Sequence, residues 1–316
     1  MSSLPVICLL GPTASGKTHL AIELVQKFPL DIISVDSAMV YREMNIGTAK
    51  PDKYILNSAP HRLIDCVDPS EVYSAGRFCE EALEEINKSL ARGRIPFLVG
   101  GTMLYFRALQ CGLAKLPKAN HELRNELSDR ANREGWEVLH NELKKYDPKA
   151  AERIHEHDGI RIARALEVYY TTGIPLSEWQ QQDIKKINPY HFYQLGILPS
   201  DRINLHKHIA LRFKNMLTHG LIEEVQHLYN RGDLHTQLPS IRSVNYRQIW
   251  SYLKGEINHD QMCEQAVAAT RQLAKRQITW LRTWPDLNVL EDEEDKKEKA
   301  IRLIDCFINE RLPIKS

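Results

Sequence analysis

Short apolar runs alternate with amphipathic segments over the first third of the chain. Runs of strand length cover Pro5–Leu10, Asp31–Val35 and Ile95–Val99. Apolar residues at helical spacing follow from Lys17 to about Lys27 and over Gly76–Arg92. Strands that alternate with helices in this way predict a parallel sheet with right-handed crossovers.

The pattern changes from about Leu116 to Pro189, where strand-like runs vanish and the sequence becomes helical and polar. The predicted helices are His121–Glu134, Gly135–Tyr146 and Asp158–Thr172. Asp158 is placed to cap the last of them, and Gly173 lies just past its end. We therefore predict an all-helical insertion over residues 116–190, within a core formed by residues 1–115 and 191–316.

The core resumes with a strand-like run, Phe192–Leu198, and the sequence after Asp201 is largely helical. One long helical stretch runs from His259 to Thr283. A run of charged residues begins at Glu291, and such runs favour a solvated helix start or a loop.

Composition restricts the function classes only modestly. The chain has 316 residues, 43% hydrophobic and 26% charged, and no apolar run nears the roughly 20 residues that span a bilayer. The N-terminus lacks the basic and apolar regions of a signal peptide, so we expect a cytoplasmic protein. Six cysteines without a C-x-x-C pair indicate free thiols. A net charge of +1 neither requires nor excludes a nucleic-acid partner.

The strongest chemical signal is a phosphate-binding loop between the first strand and the first helix. Its pattern is G-x-x-x-x-G-K-[ST]. The residues are Gly11, Pro12, Thr13, Ala14, Ser15, Gly16, Lys17 and Thr18. Amides at the helix N-terminus bind phosphate oxygens, Lys17 adds a charge, and Thr18 is a candidate ligand of Mg²⁺. The fold class is therefore α/β, a P-loop NTPase-like parallel sheet flanked by helices. The loop predicts a polyphosphate ligand, but it does not identify the molecule that carries the phosphates.

Two further strand ends carry candidate chemistry at the same predicted sheet edge. Asp36 follows the second strand. Its position allows three roles: a general base, a residue that hydrogen-bonds a ligand of a magnesium ion, or a simple helix cap. Gly100-Gly101-Thr102 ends the third strand, where two glycines permit close ligand approach. The Thr102 hydroxyl is placed to bond a leaving oxygen or a base, although a tight turn explains this motif equally well.

Basic residues occur near aromatic residues in the C-terminal part of the chain, and a further pair, Arg161 and Arg164, shares a helix face in the insertion. Arg242 and Arg247 flank a segment that contains Tyr246, and the long helix carries several more cations around Trp280. Unpaired RNA bases stack on aromatic rings while cations neutralise phosphates. These clusters favour RNA, but only weakly in a nearly neutral chain.

Several longer motifs resemble bacterial tRNA dimethylallyltransferases, the IPP transferase family. The resemblance spans roughly residues 5–284. It rests on the phosphate loop and on the segments Ile33–Ser37, Ile46–Pro51, Pro60–Asp65, Leu98–Tyr105, Ser240–Gln248 and Thr270–Gln277. The family often has glycine where this chain has Asn245, and Met39 and Val40 are variable hydrophobic positions. We expect neither departure to change the chemistry.

The resemblance implies transfer of a dimethylallyl group from dimethylallyl diphosphate to N6 of the adenosine at tRNA position 37, just 3′ of the anticodon. It implies Mg²⁺ as cofactor, the phosphate loop as the diphosphate site, and a monomer. It assigns Asp36 as the base that takes the N6 proton and places Thr102 beside the reacting centre. The helical insertion would be mobile and would close over the anticodon stem-loop.

The resemblance also implies which residues contact tRNA, in five groups. They are Asp36, Ser37, Ala38 and Met39; Thr102 and Arg124; Ile160, Arg161, Ile162, Ala163 and Arg164; Arg242, Ser243, Val244, Asn245, Tyr246 and Arg247; and Lys275, Arg276, Gln277, Ile278, Thr279, Trp280, Leu281 and Arg282.

From the residues alone, three other functions stay open. A small-molecule or nucleoside kinase would use ATP at the same loop. An adenylate isopentenyltransferase would prenylate a free adenine nucleotide. A non-catalytic, RNA-binding NTPase switch would bind RNA in a nucleotide-dependent way and form no prenylated product.

Overall fold

We describe a computed structural model of the protein, which covers residues 4–112, 116–117, 120–181, 189–291 and 295–311. The N-terminal Met-Ser-Ser, parts of the predicted insertion (118–119 and 182–188) and residues 292–294 of the charged run lie outside the described residues. None of the helices in these ranges is both long and apolar enough to cross a membrane. All six cysteines are free thiols, as predicted.

The chain forms two compact units. The first contains Met1–Gln110 and Asn188–Ser316, and the second contains Cys111–Ile187.

The first unit is built on a six-stranded parallel sheet with the order β3-β2-β4-β1-β5-β6. The strands are β1 (Leu4–Leu10), β2 (Leu30–Val35), β3 (His61–Arg62), β4 (Ile95–Gly100), β5 (Tyr190–Leu198) and β6 (Leu287–Glu291). The prediction of a parallel sheet flanked by helices is confirmed. The pattern missed β3 and β6, two short edge strands without a clear apolar run.

Helices cover both faces of this sheet. They are α1 (Lys17–Val25), α2 (Lys53–Ser58), α3 (Ala75–Ala91), α4 (Met103–Cys111), α10 (Arg202–Thr218), α11 (Leu221–Asn230), α12 (Tyr246–Leu253), α13 (His259–Arg282) and α14 (Lys296–Arg311). The second unit holds α5 (His121–Glu134), α6 (Trp136–Tyr146), α7 (Pro148–Arg153), α8 (Gly159–Thr172) and α9 (Leu176–Gln181).

Alternation along the buried strands divides the core of the first unit in two, because successive strand residues face opposite sides of a sheet. Val6, Cys8 and Leu10 of β1 lie in one cluster with side chains of α3, α4, α11, α12 and α13. Ile7 and Leu9 lie in the other, with side chains of α1 and α14.

The C-terminal tail is more than the solvated segment that its charges favour. In α14, Ala300, Ile304 and Phe307 are buried in the cluster that contains Ile7 and Leu9 of β1. The Phe307 ring stacks on Tyr193 of β5 with centroids 4.4 Å apart. The tail therefore completes the face of the sheet that carries α1, the helix that begins at the phosphate loop.

The second unit has a core of its own, formed by Leu127, Leu139, Leu143, Ile162, Leu166 and neighbouring apolar residues. Its helix α8 begins and ends as predicted. The Asp158 carboxylate accepts the Arg161 N–H, and Gly173 ends the helix with a left-handed φ of 70°.

Candidate functional site

Three strand ends place the predicted chemistry at one edge of the sheet. Leu10 of β1 and Val35 of β2 both pair in register with Gly100 of β4. A Cβ on Gly100 would lie 2.0 Å from the Val35 carbonyl oxygen, so only glycine permits this approach. The phosphate loop, the Asp36 turn and the Gly101-Thr102 turn therefore begin side by side.

The phosphate loop has the curled backbone of an anion site. Ala14 and Gly16 have left-handed φ angles of 62° and 79°. The Ser15 hydroxyl donates to the Pro12 carbonyl at 2.9 Å, which braces the loop from inside. Within the described part of the chain, the N–H groups of Gly16, Lys17 and Thr18 have no acceptor. Unpaired amides at a helix N-terminus are suited to bind phosphate oxygens.

Lys17 is the loop cation that the motif predicts. Its ammonium donates to the Pro12 carbonyl at 3.2 Å. Burial lowers the pKa of Lys17 to about 8, the negative charge of Asp36 raises it, and the positive charge of Arg212 lowers it further. An anion at this loop would replace the water that Lys17 has lost and would favour its protonated form.

Arg212, on α10, is a second cation at the loop, and the sequence analysis missed it. Its guanidinium lies 3.5 Å from the Thr13 hydroxyl. Burial lowers the pKa of Arg212, and the charge of Asp36 offsets part of that effect. A signal was present, because Arg212 interrupts the buried stripe of α10 that includes Ile209 and Met216. A cation at such a position needs a partner.

The Asp36 carboxylate is held by the turn that follows β2. One carboxylate oxygen accepts the N–H groups of Ala38 and Met39, at 2.8 and 3.2 Å. These bonds brace the turn after β2, and the helix-cap alternative does not apply, because the next helix along the chain, α2, begins at Lys53. Among the described residues, the other carboxylate oxygen has no hydrogen-bond donor. Asp36 is thus oriented through one carboxylate oxygen.

Thr102 ties the third strand end to the second. Its hydroxyl oxygen accepts the Ser37 N–H at 3.0 Å, and its own N–H donates to the Val35 carbonyl at 3.2 Å. The turn after β4 is therefore fastened to the segment that begins at Asp36.

Gln277 enters the site from α13. Its Oε1 accepts the Thr13 N–H at 2.8 Å, and its Nε2 donates to the Gly101 carbonyl at 2.9 Å. The side chain is buried. It thus connects the phosphate loop with the turn after β4, although its place among the predicted RNA contacts suggested an outward direction.

Arg212, which approaches Thr13 of the phosphate loop, also lines a pocket of about 350 Å³. Its walls are mainly apolar. The lining residues are Ile46, Ala49, His208, Leu211, Arg212, Asn215, Met216 and His219. The site therefore offers an apolar surface beside a cationic one.

The predicted RNA-contact residues of the first unit include exposed cations, buried side chains and half-buried ones such as Trp280. The exposed cations are Arg242, Arg247, Lys275, Arg276 and Arg282. No acidic partner lies within ion-pair distance of them in the described ranges. Asn245, Tyr246, Gln277 and Leu281 are buried.

Tyr246 lies in the interior of the unit, unlike Arg242 and Arg247. Its ring is fully buried, and its hydroxyl donates to Glu224 at 2.6 Å. Burial, followed by the charge of Glu224, raises the pKa of Tyr246 well above its usual value. A fully buried ring has no face open to an RNA base, so Tyr246 does not supply the aromatic surface that favoured RNA in this segment, whereas Arg247 is exposed.

Asn245 occupies a position where backbone geometry favours glycine, with φ of 77°. Its side-chain amide donates to the Gly47 carbonyl at 3.1 Å, and its N–H donates to Gln248 at 2.9 Å. These contacts stabilise Asn245 at a position where the family that the sequence resembles often has glycine.

In the second unit, two predicted RNA contacts are engaged internally. Arg124 and Arg164 bind the buried carboxylate of Glu167 at 2.9 and 2.8 Å. Burial alone would raise the pKa of Glu167, but hydrogen bonds from Arg164, the Asn120 N–H and Arg124 leave it lowered. Ile162 lies in the core of the unit, whereas Ile160 and Arg161 are exposed.

Two family models match this chain. One, described as IPP transferase, matches residues 39–284, and the other, described as isopentenyl transferase, matches residues 4–70. A tRNA dimethylallyltransferase from Thioalkalivibrio sulfidiphilus is 54% identical over 290 residues, 92% of this chain and 91% of the relative. One from Coxiella burnetii is 52% identical over 289 residues, 92% of this chain and 93% of the relative.

Solved structures are similar over almost the whole chain. The full-length tRNA isopentenylpyrophosphate transferase from Bacillus halodurans is 34% identical, with a TM-score of 0.71 and 97% of each chain covered. A eukaryotic dimethylallyltransferase acting on tRNA is 29% identical, with a TM-score of 0.80, covering 99% of this chain and 81% of that one.

The lowered pKa of Lys17 predicts a pH dependence for anion binding. As the pH rises through about 8, the free protein loses the Lys17 charge, so its affinity for inorganic pyrophosphate should fall. Calorimetric titrations of Lys17→Arg at the same pH values separate this effect from ionisation of the ligand, because a guanidinium stays charged. The wild-type affinity should drop relative to Lys17→Arg, approaching about tenfold per pH unit. Parallel pH profiles would contradict this assignment.

Proposed function

The chain belongs to the IPP transferase family, and from this premise we propose that it transfers a dimethylallyl group from dimethylallyl diphosphate to N6 of the adenosine at tRNA position 37. The product is N6-isopentenyladenosine in tRNA. One observation carries the proposal. An anion-binding loop follows β1 and a carboxylate with one free oxygen follows β2, at the same edge of the sheet on either side of β4.

The donor's diphosphate is held by the phosphate loop, residues Gly11 to Thr18. The loop ends in the free amides at the start of α1. It also carries the ammonium of Lys17, and the guanidinium of Arg212 lies beside it. When the allylic C–O bond breaks, negative charge grows on the diphosphate, and these fixed donors stabilise it without rearranging. The apolar pocket beside Arg212 supplies space for a five-carbon chain.

A divalent metal ion fits the oxygen donors near the loop, and we propose Mg²⁺. The Thr18 hydroxyl is the candidate ligand from the protein, at the position where phosphate loops commonly hold this ion. Hydroxyl, carboxylate and diphosphate oxygens are the hard ligands that Mg²⁺ prefers. When bound, the ion neutralises charge on the diphosphate.

Asp36 acts as the base for the acceptor. An adenine amine is a weak nucleophile, and a carboxylate that accepts the N6 proton as the C–N bond forms strengthens it. The amides of Ala38 and Met39 fix one oxygen, so the other keeps a constant direction. Thr102 and the segment Asp36–Met39 contact the target adenine. An unpaired anticodon-loop base leaves its stack at lower cost than a base in a duplex.

The anticodon stem-loop binds exposed cations of the first unit, above all Arg242, Arg247, Lys275, Arg276 and Arg282. Residues 1–115 and 191–316 form the catalytic core, and the helical insertion, 116–190, is a mobile element that contacts tRNA through Ile160 and Arg161. The enzyme acts as a monomer, in the cytoplasm, where its acceptor tRNA is found.

The test uses purified protein, labelled dimethylallyl diphosphate and Mg²⁺, without ATP. Mass spectrometry of digested RNA should show isopentenyladenosine from an anticodon stem-loop, and AMP in its place should give little product. A requirement for ATP would instead indicate a kinase. Efficient prenylation of AMP would indicate an adenylate isopentenyltransferase. Nucleotide-dependent RNA binding without product would indicate a switch.

Asp36→Asn separates the two roles of this residue. The asparagine oxygen can still accept the N–H groups of Ala38 and Met39, but its amide nitrogen cannot take a proton. Turnover should fall by about 10²- to 10⁴-fold, with stem-loop affinity within a few-fold of wild type. Asp36→Ala, which also loses the bonds to the Ala38 and Met39 amides, should be no faster. Normal turnover in either variant removes Asp36 from the role of base.

Lys275→Ala should weaken stem-loop binding, and more at low salt than at high salt. Removing one phosphate contact lowers the slope of log affinity against log salt by about 0.7–0.9. Filter binding at several salt concentrations measures this slope. Lys53→Ala, an exposed lysine outside the predicted contacts, is the control. Equal slopes for wild type and Lys275→Ala would exclude a phosphate contact there.

A further inference from the structure

A buried glutamine on α13 joins two of the loops that form the site. Resting on the function proposed above, we propose that Gln277 is a positioning residue. It holds the phosphate loop and the turn after β4 in the geometry that receives the donor's diphosphate, and it does not contact tRNA directly.

Both ends of the Gln277 amide are used, and each has a partner of opposite kind. Oε1 accepts the Thr13 N–H at 2.8 Å, and Nε2 donates to the Gly101 carbonyl at 2.9 Å. An amide turned the other way would face donor with donor and acceptor with acceptor. The contacts therefore fix a single orientation of the side chain.

The direction of Gln277 separates it from its neighbours on the helix. Ala274, Gln277 and Leu281 are buried at helical spacing, while Lys275 and Arg276 are exposed. Gln277 thus occupies a position where an apolar residue would pack. Burying an amide there is favourable only because it pairs two backbone groups that would otherwise lack partners.

The two paired groups belong to segments that act on the donor and the acceptor. Thr13 is in the phosphate loop, and its hydroxyl is the one that Arg212 approaches. Gly101 precedes Thr102, whose hydroxyl accepts the Ser37 N–H beside Asp36. One side chain therefore sets the spacing between the anion loop and the turn next to the base.

Gly101 shows how tightly this contact is packed. A Cβ at Gly101 would lie 2.5 Å from Gln277 Nε2 and 3.1 Å from the Gly11 carbonyl oxygen. Gly101→Ala must therefore displace the Gln277 amide, and it tests the same contact from the other side.

Gln277→Met tests the proposal, because methionine fills similar volume and loses both hydrogen bonds. The Kd for inorganic pyrophosphate with Mg²⁺, measured by calorimetry, should rise about tenfold. The donor KM should rise with it, while stem-loop affinity stays within about twofold of wild type. Gln272→Met makes the same change at an exposed position of α13 and should leave all three values unchanged.

Gln277→Glu keeps the acceptor for Thr13 but loses the donor to Gly101 and adds negative charge. It is isosteric, so it carries the test if the methionine variant does not fold. It should weaken pyrophosphate binding more than tenfold. Gly101→Ala should weaken it as well, and combining it with Gln277→Met should cost less than the two separate losses together.

Wild-type pyrophosphate affinity in folded Gln277→Met and Gln277→Glu would overturn the proposal. So would a loss of stem-loop affinity with unchanged pyrophosphate binding, which would make Gln277 a direct RNA contact. The pyrophosphate titration involves no prenyl transfer. A protein that fails to prenylate tRNA but loses pyrophosphate on substitution of Gln277 would refute the proposed reaction and leave the positioning role intact.

Discussion

The close passage of Gly100 beside the Val35 carbonyl is the constraint on which the site depends. A Cβ there would lie 2.0 Å from that oxygen, so β4 and β2 end level only because position 100 is glycine. The same residue pairs with Leu10 of β1. Three loops of different chemistry therefore begin from one line across the sheet. Ligands of open α/β sheets bind at this edge because the strands deliver their following loops there.

Electrostatics at this edge are those of a site prepared for an anion. Two cations, Lys17 and Arg212, lie at one loop with one carboxylate, Asp36, and each cation has a lowered pKa because burial outweighs the effect of Asp36. Positive charge held partly out of water is costly until an anion arrives. The cost is met during folding, so an anion that binds here meets hydrogen-bond donors that are already oriented.

Helix α13 serves the site from both sides. Its buried Ala266 and Leu281 pack in the cluster that contains Val6 and Leu10, and its Gln277 reaches the phosphate loop. Its exposed side carries Lys275, Arg276 and Arg282. A single helix with these two faces fixes the distance between this basic surface and the phosphate loop. In the reaction proposed above, which joins an RNA base to a prenyl group, a fixed distance of this kind helps to orient the two substrates.

The sequence by itself determined the parallel sheet, the phosphate loop, the strand-end position of Asp36 and membership of the family. These features are local. A strand, turn and helix that follow one another along the chain are visible in contiguous residues. The tertiary structure alone decided the direction of side chains on distant helices. It turned Tyr246 inward, brought Arg212 to Thr13 across 199 positions, and set Gln277 between Thr13 and Gly101. Helical spacing shows which residues share a face, but only packing against the sheet determines what that face contacts.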